Sequence, residues 1–235
     1  MLITGFPAGP LAANCYVLCG DGARECVVVD PGQRAADPLR ALLAEHGLRP
    51  AAVLVTHGHF DHVASAAAVC DEYGVDVYLG GGDMAMLTDQ FASLSPELRA
   101  GMTQILGPGE SLDDLRDMRP ARLTPLAGGE HLSVAGVEVD ALAVPGHTPG
   151  SMTYRVRASA ASDESEPDVL LTGDTLFAGT IGRTDLPGGS MPRILDSIAR
   201  QLLSLPDETV VLPGHGAATT IGAERTGNPF LTDLR

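Results

Sequence analysis

Hydrophobic positions along this 235-residue chain come in short runs, each broken by Gly, Pro or a small polar cluster. Two periods alternate through them. Cys26-Val-Val-Val-Asp30 reads as a buried strand ended by Pro31-Gly32, and Ala51–Val55, Val75–Leu79, Val169–Leu171 and Thr209–Leu212 read the same way. Helical patterns lie between them. Asp37 as N-cap and Pro38 in the first turn open a helix that runs through His46 and ends at Gly47. His62–Tyr73, closed by Gly74, and Pro192–Leu205 are predicted helices, and Gly81–Met118 two or three short ones. From Val134 to Val156 the period turns to strands, with Gly136 as a turn. Ala158–Pro167 (ASAASDESEP) is small and acidic and predicts an exposed loop within one domain. Strands alternating with helices around a β-rich middle argue for α/β layers, and the hairpins of that middle require a mixed sheet. Residues 1–235 are expected to form a single domain with a short C-terminal tail.

Composition narrows the classes. Hydrophobic residues make up 44% and charged residues 19%, which is enough apolar side chain for a core. Aromatics are 4% with no Trp, so that core must be built from Ala, Val, Leu and Ile. A formal net charge of -15 repels phosphate backbones and argues against a nucleic-acid partner. No stretch is apolar enough to span a bilayer, and Met1–Leu11 carry no basic segment ahead of an apolar one. A cytoplasmic protein with no membrane partner is expected. On that reading the four Cys are free thiols, and Cys15 and Cys19 are more naturally buried small hydrophobes than a metal or redox pair.

Four apolar runs each end in a candidate metal ligand: Val53–Thr56 in His57, Leu142–Gly146 in His147, Val169–Gly173 in Asp174, and Val210–Gly214 in His215. Strand ends present functional side chains on short loops, so the four are expected to meet at one edge of the sheets. The densest piece is His57-Gly-His59-Phe-Asp61-His62. Imidazole and carboxylate suit zinc, iron or manganese. His57 and His59 can grip one ion, while Asp61 and His62 turn into the next helix and can face a second. Five of the seven His fall in these motifs, which leaves His46 and His131 as ordinary surface residues without an Asp partner. Gly80-Gly-Gly-Asp83 reads as a turn and N-cap, because no Lys-Ser/Thr follows it as a phosphate cradle needs. Ser151, at a strand start, reads as structural, and no Gly-x-Ser-x-Gly elbow is present.

In that order, His57-Gly-His59-Phe-Asp61-His62, Pro145-Gly-His147, Gly173-Asp174-Thr and Pro213-Gly-His215 resemble the signatures of the metallo-β-lactamase superfamily. Gly173–Phe177, Gly182-Arg183-Thr-Asp185 and the tail Thr220–Leu231 resemble its glyoxalase II-like branch, the hydroxyacylglutathione hydrolase-like enzymes. The resemblance implies an αββα sandwich with a metal site at one sheet edge. It implies two divalent ions, zinc with iron or manganese as alternatives. His57, His59 and His147 would hold one, Asp61, His62 and His215 the other, and Asp174 would bridge them. Asp61 and Asp174 would then be the catalytic carboxylates, and the nucleophile a hydroxide between the ions. The implied reaction is hydrolysis of a thioester, a 2-hydroxyacyl conjugate of a low-molecular-weight thiol.

Arg183 holds the branch's basic position and is expected to grip a carboxylate of the substrate bidentately, with an ion pair to Asp185 as the plainer reading. Asp185 stands where glutathione-specific members carry an aromatic hydroxyl, so the thiol carrier stays open. The alternative of the same fold is a persulfide dioxygenase with one iron on His57, His147 and Asp174. A secreted β-lactamase and a nuclease fit less well, the first for want of an export signal and the second because of the charge.

Overall fold

The computed structural model of the chain describes residues 1–88, 91, 95–106, 111–157 and 166–234. Two six-stranded sheets carry it. The first follows chain order: β1 (Leu2–Ala8), β2 (Ala13–Cys19), β3 (Glu25–Val29), β4 (Arg49–Val55), β5 (Asp76–Gly80) and β6 (Leu123–Leu126). β1 to β3 pair antiparallel and β3 to β6 parallel. The parallel crossovers carry α1 (Ala36–His46), then α2 (Phe60–Val63) with α3 (Ala66–Tyr73), then α4 (Pro96–Leu106). In the second sheet β7 (His131–Val134), β8 (Val137–Ala143), β9 (Met152–Val156), β10 (Val169–Gly173), β13 (Val210–Pro213) and β14 (Thr219–Thr220) lie side by side. β11 (Leu176–Phe177) and β12 (Thr180–Ile181) form a small hairpin, and α5 (Met191–Ser197) and α6 (Ile221–Gly227) complete the chain's helices.

Strand alternation explains the layers. On β3, Cys26 and Val28 turn toward Leu39 and Leu43 of α1 and Val69 of α3. The intervening Val27 and Val29 face Val139, Tyr154 and Leu171 of the second sheet. On β10, Leu171 points into that middle core while Leu170 points the other way, against Ile194, Ile198 and Ile221. The central strands of both sheets are therefore buried on both faces, and the result is the expected αββα sandwich. Tyr154 is the largest fully buried side chain. Its hydroxyl would be costly among apolar neighbours, and it donates to the Val55 carbonyl at 2.8 Å, at the end of β4 that leads into His57.

Several sequence-level expectations shift. Asp37 does not cap α1; it lies in the first turn, with Ala35 at the N-cap and no side-chain cap bond, and pairs with Arg40 instead. Gly47 ends the helix in the left-handed conformation as expected. The helix expected over His62–Tyr73 starts earlier, at Phe60, and breaks after Val63. The cause is Ser65. Its N–H donates to the Pro31 carbonyl at 2.9 Å and its hydroxyl to the Gly32 carbonyl at 2.6 Å, so the turn after β3 takes the bond a continuous helix would use. The helix expected over Pro192–Leu205 widens into a π-helical turn at Ile198–Leu202. β1 and β6 lie at sheet edges and contain Pro7 and Pro125, which blurs the strand pattern. Most of Ala158–Pro167 falls outside the described residues; Glu166 and Pro167 are exposed. All four Cys are buried and free.

Candidate metal centre

The ends of β4, β8, β10 and β13 open onto the same edge of the two sheets, and the loops that follow bring seven side chains together. His147 Nε2 lies 3.2 Å from His57 Nε2 and 2.9 Å from His59 Nδ1. His215 Nε2 lies 3.3 Å from His62 Nε2 and 3.2 Å from Asp61 Oδ2. Asp174 stands between the two groups, with Oδ1 3.3 Å from His62 Nε2 and Oδ2 3.7 Å from His147 Nε2 and 3.6 Å from His215 Nε2. Glycine permits this crowding: a side chain on Gly214 would run into Asp174 and His62.

The donor set fits two small cations. A zinc–nitrogen bond of about 2.0–2.1 Å in tetrahedral geometry sets neighbouring ligand atoms ~3.3 Å apart, close to the spacings within each group. The outer ring nitrogens of His57, His62, His147 and His215 are occupied. His57 Nδ1 lies 3.0 Å from the Thr56 hydroxyl, His62 Nδ1 2.9 Å from Asp30, and His147 Nδ1 and His215 Nδ1 donate to the carbonyls of Arg183 and Leu11 at 2.8 and 3.0 Å. With the proton held outside, each inner nitrogen presents a lone pair to the centre. Asp174 Oδ1 is buried without a hydrogen-bond partner even though His62 Nε2 is near. The two facts agree if His62 carries its proton on Nδ1, toward Asp30.

Electrostatics divide the cluster. Burial, helped by His62, holds His57 well below the ordinary imidazole range, and burial with His147 brings His59 down to about 4. Burial also opposes charge on His62 and His215. There it is outweighed by Asp174 and Asp61, and both imidazoles are raised. Burial likewise pushes Asp174 and Asp61 up, but His62 leads the neighbours that bring both below the usual carboxylate range. Protons and cations therefore compete for the inner nitrogens of His62 and His215.

All seven sequence-derived ligands converge, as the strand-end pattern required. Arg183 reaches the wall of the same cavity, where its fork holds Asp185 through two contacts of 2.8 Å. His46 and His131 stay outside it. His131 is not without an acidic partner, however: it lies 2.8 Å from Asp140 and 2.6 Å from Glu138, because β7 and β8 pair in the register that sets these residues on one face. Three supports escaped sequence reasoning. Asp30 receives the Thr56 N–H and hydroxyl at 2.7 and 2.6 Å as well as facing His62. Asp83 is no N-cap; its buried carboxylate accepts from Gly58 N–H, Gly150 N–H and the Thr148 hydroxyl, tying the His57 and His147 loops together. Asn14 and Tyr16 on β2 hold the Pro213 carbonyl ahead of His215. The only sequence signal for Asp30 and Asp83 was a carboxylate at a strand end beside glycines.

Residues 8–215 match the family profile of the metallo-beta-lactamase superfamily. The chain belongs to that superfamily. The chain is similar to several proteins in sequence and structure. An uncharacterized protein of Mycobacterium leprae is 48% identical over the full length of both chains. Hydroxyacylglutathione hydrolase GloC of Haemophilus influenzae is 35% identical over 98% of each chain. Among solved structures, BLEG-1 B3 metallo-beta-lactamase superposes with a TM-score of 0.78 at 35% identity, over 98% of this chain and 100% of that one. TTHA1623, in a di-iron-bound form, superposes with a TM-score of 0.72 at 34% identity, over 97% and 100%. The superfamily's fold and its His/Asp cluster make this chain a metal-binding hydrolase.

Proposed function

We propose that the protein is a metal-dependent thioester hydrolase, acting on a 2-hydroxyacyl conjugate of a low-molecular-weight thiol. The observation that carries this is the second group of ligands. Asp61, His62 and His215 close around a common point as tightly as His57, His59 and His147 do. A one-iron dioxygenase would need only His57, His147 and Asp174, and would leave that second group without a role. The 35% identity to a hydroxyacylglutathione hydrolase supports the same reading.

On this reading His57, His59 and His147 hold one divalent ion, Asp61, His62 and His215 the second, and Asp174 serves both. Zinc fits the N/O donors, and so does iron or manganese. When bound, the ions supply hydroxide at neutral pH and polarise a carbonyl. The chain's own residues do the rest. Asp61 and Asp174, held ionised, contribute the negative charge that retains the cations. Asp30 and Thr56 hold the imidazoles in their ligating tautomers. Arg183, at the rim beside His147, orients a carboxylate on the thiol carrier. The departing thiolate, with a thiol pKa of about 8.5, needs no strong acid behind it. Elemental analysis of freshly purified protein, together with thiol release from S-lactoyl conjugates of several thiols, tests the reading. Near two ions per chain with thiol release is expected. One tightly held iron, with oxygen uptake on a persulfide and no thiol release, would overturn it.

A further inference from the structure

The cavity over the candidate centre has a volume of about 580 Å³, within the range of about 300–1,000 Å³ typical of small-molecule sites. Its floor is the ligand cluster, and among the described residues its rim has one permanent cation, Arg183. The wall beyond is of another kind. Met86 sits against Gly58 in the His57–His59 loop, and Phe91 follows it on the same segment. Met102 and Ile105, three residues apart on α4, present neighbouring side chains to the cavity. The far end of α4 is anchored, because Arg34 donates to the Leu106 carbonyl at 2.9 Å. Ile105 is one of the few large hydrophobic residues left exposed among those described, at 38%, and it lines this cavity. Among the described residues Thr88 is the single uncharged polar side chain on that wall.

We infer that this wall binds an apolar acyl chain, so that the substrates include thioesters of aliphatic acids longer than a lactoyl group. The inference rests on the hydrolase reading and adds to it the class of acyl group. Among the described residues of that wall, Met86, Phe91, Met102 and Ile105 offer a charged arm no partner, and Arg183 stands at the rim beside His147. An aliphatic arm instead buries apolar surface against Met86, Phe91, Met102 and Ile105, and the two Met side chains adapt to chains of different length. Arg183 adjoins His147 and Met86 adjoins the His57–His59 loop, so carrier and acyl chain leave the centre along different flanks.

The test uses one small uncharged thiol, N-acetylcysteamine, esterified with acetyl through octanoyl groups, on protein loaded with zinc. The expected result is a kcat/KM that climbs about two- to fourfold for each added methylene until the wall is filled. Met102→Ser combined with Ile105→Ser should cut the octanoyl-to-acetyl ratio at least tenfold, while Phe230→Ser, an exposed position outside the cavity, leaves that ratio unchanged. Calorimetry with the matching S-alkyl thioethers, which cannot be hydrolysed, should show affinity rising with alkyl length. A flat series on protein that still hydrolyses the acetyl ester overturns the inference and leaves the hydrolase reading standing. If no ester of this series is hydrolysed, the S-lactoyl conjugates still decide the hydrolase reading, and the thioethers decide the wall by themselves: rising affinity supports an apolar ligand there, flat affinity overturns it.

Discussion

Asp30 Oδ2 lies 2.9 Å from His62 Nδ1 and 2.6 Å from the Thr56 hydroxyl, and Asp30 itself stands in the left-handed region at φ 51°. A strained backbone at the end of β3 aims one carboxylate at the outer edge of the ligand cluster. Asp and Asn tolerate that conformation better than other non-glycine residues, so Asp30→Asn should fold. It should lower metal affinity by about ten- to a hundredfold, because the amide puts a donor where one of two accepting oxygens stood, facing either the Thr56 N–H or the Thr56 hydroxyl and His62 Nδ1. Metal retained against a graded chelator series measures this. Affinity equal to the parent protein would show that Asp30 only supports the fold.

Asp174→Ala should remove metal from both groups together, since its two oxygens face His62 on one side and His147 and His215 on the other. The expected metal content falls well below one ion per chain, measured by elemental analysis after dialysis. Loss of a single ion would place Asp174 in one group.

Metal loading should release protons. His62 and His215 are raised above the ordinary imidazole value by Asp174 and Asp61 in spite of burial, so near pH 7 a cation must displace their protons. Zinc added to chelator-treated protein in weak buffer should acidify the solution, by more at pH 6.5 than at pH 8.5. No proton release at either pH would mean that the ligands are already deprotonated.

His131 offers a control of opposite kind. Its hydrogen bonds to Asp140 and Glu138 raise its pKa. The folded value lies above the unfolded one, so the stabilisation is full below about pH 6.5 and is lost as pH rises through the folded value. The ring should titrate above its ordinary value in proton NMR and drop in Asp140→Asn. His131→Ala should leave metal content unchanged.

Arg183 and Asp185 are both largely exposed, at 60% and 68%, so breaking their pair should change stability little. Its effect should be kinetic. Asp185→Asn frees the guanidinium and should lower KM for thioesters whose carrier bears a carboxylate, whereas Arg183→Ala should raise it about tenfold or more with kcat nearly unchanged. Steady-state kinetics on charged and neutral carriers reads this directly. Equal changes for both carriers would assign Arg183 to the loop's structure.

The sequence alone marked the candidate ligands: His57, His147, Asp174 and His215 each follow a hydrophobic run, and His59, Asp61 and His62 crowd behind the first of them. The layers were legible in the same way: runs such as Cys26–Val29 and Val169–Leu171 are apolar on both faces and must be covered twice. What tertiary structure decided were pairings between distant segments. Ser65 breaks a helix because Pro31 and Gly32 lie beside it. Asp30 and Asp83 become supports of the centre only when Thr56, Gly58, Thr148 and Gly150 are folded against them. His131 gains carboxylates through the β7–β8 register, and α4 turns Met102 and Ile105 toward a cavity that no local period reveals. Periodicity records which face of an element is apolar; which partner covers that face, and which polar group a buried carboxylate meets, depends on contacts between residues far apart in the chain.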